Sequence, residues 1–518
     1  MRVLSHNIQR TLFIFIAILG LQSVAFAQSV DSAAIDRLVE DALKEWQVPG
    51  AAIAIIRGDE VVYLKGYGVR ELGSTQPVTP DTLFAIGSTS KAFTTTAMAI
   101  LVDEGKMKWD DPVRKHIDFF RLSDPLANEY VTMRDLVTHR TGLTQHDLLW
   151  YGSPWTREEI IRKIGLVKLT QPFRSTYQYQ NIMFLAAGYA VGLISKSTWE
   201  DFVQKRIFDP LGMTGANFSV KVAEKASNHS TPHGKNKEGR VIVIPWRDID
   251  NIGPAGSINA GVRDLSKWIR FQLAGGTFEG KRLLSAANLA QTHTPQIVVR
   301  VDPATSKETE TTQGSYGLGW GIADYRGHLI LSHGGGIDGF LTNISMAPKA
   351  KIGIVVLSNL APSRLPDAVS RGLLDLMLGL PKKDWIAIAR ERTKRDDAAQ
   401  TARQQESEAK RHKDTKPARE LAAYTGDYED PAYGTASVSL ENGMLVLKWS
   451  NFKFRLEHFH FDTFKPNVEF LYDNRFENER IVFSLGADGD VATMNALGVD
   501  FKKIKPKPQR RGAADAER

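Results

Sequence analysis

The stretch from Ala92 to Val102 is apolar around the whole helix, with Phe93, Ala97, Met98, Ile100 and Leu101 distributed rather than lined up on one stripe. A helix of that kind has no face for solvent and must lie inside a layered core. Ser88-Thr89-Ser90-Lys91 stands immediately before it. Residues three apart share a helix face, so the Lys91 amine can lie beside the Ser88 hydroxyl. Any fold available to this chain must therefore bury a helix whose first turn carries a nucleophile and a base.

A serine hydroxyl attacks poorly until something takes its proton, and Lys91 can do so only as a free amine. An ordinary lysine, with a pKa of about 10.4, is charged at neutral pH, so burial and the helix N-terminus must lower that value. Two further motifs follow in chain order. Tyr179-Gln180-Asn181 puts a phenol and an amide two residues apart, where both can face Ser88, with Tyr177 as a competitor. The phenol can pass a proton to a leaving group, and Asn181 can orient Lys91 or bind a substrate amide. His333-Gly334-Gly335-Gly336 follows a strand-like run. Its glycines let a substrate approach the backbone, and the Ser88 and Gly336 amides are the expected oxyanion donors. His333 reads as a substrate-side polar or proton-shuttling group rather than the primary base.

At the N-terminus Arg2 and Arg10 precede the apolar run from Leu12 to Leu19, and Ala25-Phe26-Ala27 gives a cleavage site before Gln28. The expectation is a secretory signal peptide and a periplasmic or secreted protein; the alternative is an uncleaved anchor, for which the run is short. The chain has no cysteine, which removes disulfides, thiolate nucleophiles and cysteine metal sites. Its charge of +7 falls with Arg2 and Arg10 on cleavage, and part of the excess lies in a tail from Lys502 to Arg511, expected to be mobile. Nothing points to nucleic acid, a metal or a cofactor. His458 and His460 share a strand face without a third ligand, and Asp135, His139 and Asp264 read as a helix start, a buried polar contact and a helix cap.

With 518 residues, more than one core is expected. Ser32 to Trp46 reads as a helix capped by Asp31 or Ser32, and Ala51 to Ile56 with Val61 to Tyr67 as a hairpin. The segment from Val131 to Ile269 reads as a helical subdomain. Leu329 to Ser332 and Ile352 to Ser358 bring the chain back to the sheet begun by the hairpin. The charged stretch from Ile386 to Arg419 reads as an exposed helix or flexible connector. Beyond it come strands at Ala436 to Leu440, Met444 to Trp449, Phe452 to Leu456, Val468 to Tyr472 and Ile481 to Leu485. Asn442-Gly443 is a hairpin turn, and Tyr424, Tyr428, Trp449 and Phe454 are core candidates.

These motifs, with Val48-Pro49-Gly50, Leu136 to Leu143, Pro210 to Met213, Pro254-Ala255-Gly256 and Tyr316 to Trp320, resemble the penicillin-recognising serine hydrolase superfamily. That group includes class C β-lactamases, D-alanyl-D-alanine carboxypeptidases, D-aminopeptidases and related esterases. The resemblance implies an α/β fold, a β-lactamase-like domain of mostly antiparallel sheet flanked by helices with a helical subdomain, followed by a small antiparallel, lipocalin-like β-barrel domain. The expected division is a signal peptide (1–27), a hydrolase domain (28–383), a charged helical linker (384–419), the β-domain (420–504) and a basic tail (505–518). The implied catalytic residues are Ser88, Lys91 and Tyr179, with Asn181, His333, Gly335 and Gly336 on the substrate and oxyanion side. His333 stands where many relatives have a lysine that pairs with a substrate carboxylate, which favours peptidase, amidase or esterase chemistry on a small molecule or peptide. The alternatives are a true β-lactamase and a non-catalytic penicillin-binding or sensor protein. No G-x-S-x-G elbow supports an α/β-hydrolase.

Overall fold

The computed structural model describes residues 30–467, 476 and 479–505. The expected signal peptide, the strand expected over 468–472 and the tail from residue 506 lie outside them.

An eight-stranded antiparallel sheet forms the frame, in the order Glu60–Gly68, Gly50–Arg57, Ile352–Ser358, Phe340–Ala347, His328–Ile337, Gly321–Tyr325, Gly314–Tyr316, Ile297–Val299. The first two strands come from the start of the domain and the others from its end. Gly50–Arg57 is buried along nearly its whole length because both faces are covered. Ile53 and Ile55 pack with Ile354 and Val356 against the helices Ser32–Trp46 and Leu365–Leu378. Ala52, Ala54 and Ile56 turn the other way with Val355 and Leu357, toward the core that holds Phe93 and Trp268. Asp31 caps the first helix, accepting from the Ala34 amide at 2.9 Å.

The helix Ser90–Asp103 is buried from Ser90 to Leu101, as its all-round apolarity requires. Phe93 stacks on Trp268 at 3.9 Å between ring centroids. A single 3₁₀ turn, Gly87–Thr89, leads into it, so Ser88 sits just ahead of the α-helix. The next buried helix, Asn181–Ser195, is capped by the Gln180 side chain, which accepts from the Ile182 amide at 2.9 Å.

Two polar side chains hold loops around these helices. Asp135 is fully buried and accepts from Arg140 Nε at 2.6 Å, Arg174 Nη2 at 2.6 Å and the Thr132 amide at 2.9 Å. Asp264 lies in the first turn of the helix Val262–Leu273 but does not cap it. Its carboxylate accepts from the Gly215 and Ala216 amides at 2.9 and 3.1 Å, a long-range contact that replaces the local cap expected from sequence.

The charged segment forms a 25-residue helix, Trp385–Ala409, held at its start by Trp385, which donates to Asp375 at 2.7 Å. After it the chain closes an eight-stranded antiparallel barrel. Asn442 and Gly443 both take positive φ in the turn between Gly434–Glu441 and Met444–Trp449. Tyr424, Tyr428, Trp449 and Phe454 lie in its core. Four of the barrel strands went unread in the sequence: Gly426–Asp430, Thr463–Asn467, Val491–Ala496 and Val499–Lys503, whose polar, glycine or proline residues mask the alternation. Lys502 and Lys503 belong to the closing strand, pairing with Glu429 and Tyr428, so the positive charge at these two positions sits on the barrel and not in a mobile segment.

Candidate active site

Ser88 is partly exposed between buried neighbours, and Lys91 beneath it is wholly buried. Lys91 Nζ lies 3.0 Å from Ser88 Oγ, 2.7 Å from Asn181 Oδ1 and 2.9 Å from the Ala255 carbonyl oxygen. The Asn181 oxygen and the Ala255 carbonyl can only accept. A neutral amine therefore spends its two N–H bonds on them and leaves its lone pair toward the Ser88 hydroxyl. Burial pulls the Lys91 pKa down from 10.5 to about 7, against an opposing pull from the Asp147 carboxylate.

Tyr179 hydrogen-bonds the Ser88 side chain, and its ring lies 4.8 Å from Lys91 Nζ. Burial pushes its phenol far above the ordinary range, so it is a neutral hydroxyl and not a phenolate base. Tyr177 packs on Tyr316 at 5.6 Å, and Ser88 meets Tyr179 instead. His139 packs on Tyr179 at 4.3 Å and accepts from the Gln180 amide at 3.0 Å, a buried contact that fixes the turn carrying the phenol.

His333 is buried, and burial together with Lys91 lowers its pKa to about 4. Its Nδ1 lies 2.6 Å from the Gly334 carbonyl and its Nε2 lies 3.0 Å from the Tyr316 hydroxyl. The carbonyl can only accept, so Nδ1 carries the proton and Tyr316 donates to Nε2. The ring is thus a neutral, fully engaged wall of the site.

Gly335 pairs with Thr342, and a Cβ there would overlap the Ile86 carbonyl oxygen. The Gly336 amide faces the Ser88 turn: a Cβ on Gly87 would come within 2.7 Å of it, and Gly87 has φ of +52°. Two glycines thus let the strand and the nucleophile turn touch backbone to backbone. A cleft of about 450 Å³ reaches Tyr177, Tyr179, His333 and Gly334 from the side of Arg300, Thr305 and Asp367, and Ser88 does not line it.

Sequence reasoning missed three contributors: the Ala255 carbonyl on Lys91, the Tyr316 hydroxyl on His333, and Asp147. Asp147 Oδ1 accepts from Asn181 Nδ2 at 2.9 Å and from Trp150 Nε1 at 2.8 Å. The loops from Gln145 to Trp155 and Trp246 to Ile258 supply two of these groups, Asp147 and the Ala255 carbonyl. Among the described residues no three His, Cys, Asp or Glu side chains group to hold a metal. His458 instead bonds the Phe461 carbonyl at 2.9 Å, and a register shift separates it from His460.

An antiparallel sheet flanked by helices, with a serine, a buried lysine and a tyrosine gathered at one end, defines a β-lactamase-like architecture. The chain belongs to the β-lactamase family of hydrolases: the Beta-lactamase family model matches residues 35–376. A domain of unknown function, DUF3471, matches residues 410–508, the region of the barrel. Among curated proteins the chain is 32% identical over 374 residues to unguisins hydrolase ungD of Aspergillus violaceofuscus, covering 67% of this chain and 65% of that one. It is 30% identical over 423 residues to unguisins hydrolase ungD' of Aspergillus campestris, covering 76% and 75%. This chain thus spans just under two thirds of the first relative. Among solved structures it resembles the octameric penicillin-binding protein homologue from Pyrococcus abyssi, with TM-score 0.60, 23% identity, and 92% and 100% of the two chains covered. The D-amino acid amidase from Ochrobactrum anthropi SV3 gives TM-score 0.55 at 20% identity, with 69% and 99% covered. At these identities the structural likeness concerns the fold alone. Among the described residues no single helix is long and apolar enough to cross a membrane.

Proposed function

We propose that the protein is a serine hydrolase that cleaves an amide, peptide or ester bond through an acyl-enzyme on Ser88. The observation that carries this reading is the neutral-amine geometry of Lys91, whose lone pair is left to Ser88 by two carbonyl acceptors. Ser88 Oγ attacks the substrate carbonyl carbon while its proton moves to Lys91 Nζ. The carbonyl oxygen, now an oxyanion, takes hydrogen bonds from the Ser88 and Gly336 amides. As the bond to the leaving group breaks, the proton on Lys91 is returned through the Tyr179 hydroxyl to the departing nitrogen or oxygen. Water then attacks the Ser88 ester by the same route in reverse, releasing the acid and the free hydroxyl.

The group beside the reacting carbonyl is a neutral His333 rather than a cation. That supports a substrate without a carboxylate next to the scissile bond, and favours amidase, peptidase or esterase chemistry over a dedicated β-lactamase. The names of the two Aspergillus relatives, both hydrolases, support the reaction class. The test is turnover of neutral amino-acid amides and esters beside benzylpenicillin, with Ser88→Ala as control. Turnover of the neutral substrates that vanishes in a folded Ser88→Ala variant is expected. Equal turnover in that variant contradicts the assignment, and faster turnover of benzylpenicillin than of any neutral substrate contradicts the substrate class.

A further inference from the structure

The loop from Gln145 to Trp155 touches three things at once: the base, the oxyanion strand and the barrel. Asp147 holds the Asn181 amide group at 2.9 Å, and because a carboxylate only accepts, it forces the amide oxygen of Asn181 toward Lys91. Tyr151 donates to both oxygens of Asp338 at 2.8 Å, and Asp338 lies in the turn that follows Gly336 and Ile337. Arg247 Nε bonds the same carboxylate at 2.8 Å.

The barrel grips that loop from the other side. The Tyr433 hydroxyl lies 2.7 Å from His146 Nδ1, and Thr144 Oγ1 lies 3.1 Å from Nε2 of the same ring. Ser450 Oγ donates to the Gly152 carbonyl at 2.7 Å, and Phe452 stacks on Tyr151 at 6.1 Å. His146 has a left-handed φ of +46°, a conformation uncommon for residues other than glycine. The barrel contact thus falls on the residue directly before Asp147.

We propose that the barrel is a working part of the active site: Tyr433, through His146, fixes Asp147 under Asn181 and so sets how Lys91 is presented to Ser88. Tyr433, His146 and Asp147 are positioning residues in this scheme, since none touches the reacting atoms. The inference rests on the reading of Ser88 and Lys91 given above. Electrostatics agree with it. The groups that face Lys91 are Asp147, the Tyr179 phenol, and the imidazoles of His139 and His333, both of which burial keeps neutral. Asp147 is the carboxylate whose charge acts on the lysine, and it favours the protonated amine.

The experiment uses the full chain and a neutral ester, with kcat and KM measured across pH. Tyr433→Phe and His146→Leu each remove the same contact from opposite sides. Each is expected to lower kcat about tenfold or more with little change in KM, and the double variant should lose no more than the worse single one. Asp147→Asn keeps an acceptor for Asn181 but drops the charge, so the acid limb of its pH profile should move to lower pH. Wild-type kcat in a folded Tyr433→Phe or His146→Leu protein, losses that multiply in the double variant, or an acid limb in Asp147→Asn that stays or rises would overturn the inference. Ser88→Ala, run alongside, separates the two failures: if it retains turnover, the reading of the site has failed instead.

Discussion

The Tyr316 hydroxyl donates to His333 Nε2 at 3.0 Å, and this contact decides what the third motif can do. With Nδ1 committed to the Gly334 carbonyl, the imidazole has no free nitrogen for a substrate proton. Tyr316→Phe leaves a buried acceptor without its donor, at a cost of about 1–3 kcal/mol. Chemical denaturation of the variant beside the wild type should register that loss with an unchanged m-value.

The pH profile follows from Lys91. If the neutral amine is the base, kcat/KM on a neutral ester rises with pH below about 7, where burial sets the lysine, and levels off above it. Tyr179 cannot supply that limb, because its phenol stays protonated throughout. An acid limb near the ordinary lysine value would contradict the arrangement.

The same group links pH to stability. Lys91 holds its proton less tightly when folded, so between about pH 7 and 10.5 the unfolded chain binds more protons and the native protein gains stability as pH rises. The full gain is on the order of 2–5 kcal/mol. Lys91→Met lacks this term. The melting temperature of the wild type relative to Lys91→Met should increase from pH 6.5 to 9.5, and a constant difference would refute the linkage.

Gly335→Ala tests the backbone contact. Its Cβ would meet the rigid Ile86 carbonyl, which belongs to the approach to Ser88, so the strand or the nucleophile turn must shift. A destabilisation of about 1–3 kcal/mol is expected, with a fall in kcat larger than the change in KM. Gly334→Ala, whose nearest neighbour is an oxygen at 3.8 Å, is the tolerant control.

Much of this site was legible because its chemistry is local in sequence. Ser88 and Lys91 are joined by one helical turn, and Asn181 begins the helix that brings Tyr179 alongside. The apolarity of Phe93 to Leu101 already required burial of the base. What was not legible depends on contacts across the fold. Ala255 acts through its carbonyl, which carries no side-chain signal. Asp147 differs from any surface aspartate only because Asn181 and Trp150 converge on it. Tyr433 lies 287 residues from His146. In the barrel, Phe452 to Leu456 announces itself by alternation, whereas Thr463–Asn467 contains a proline and is recognised as a strand by its pairing with Arg455 to His460.

The most direct test of the central claim is rapid-quench mass analysis of the full chain mixed with p-nitrophenyl acetate, with Ser88→Ala in parallel. The account predicts a burst of p-nitrophenol matching one acetyl group per wild-type chain, located on the peptide that contains Ser88 and absent from the variant. Acetylation elsewhere, or an equal burst from Ser88→Ala, would contradict it.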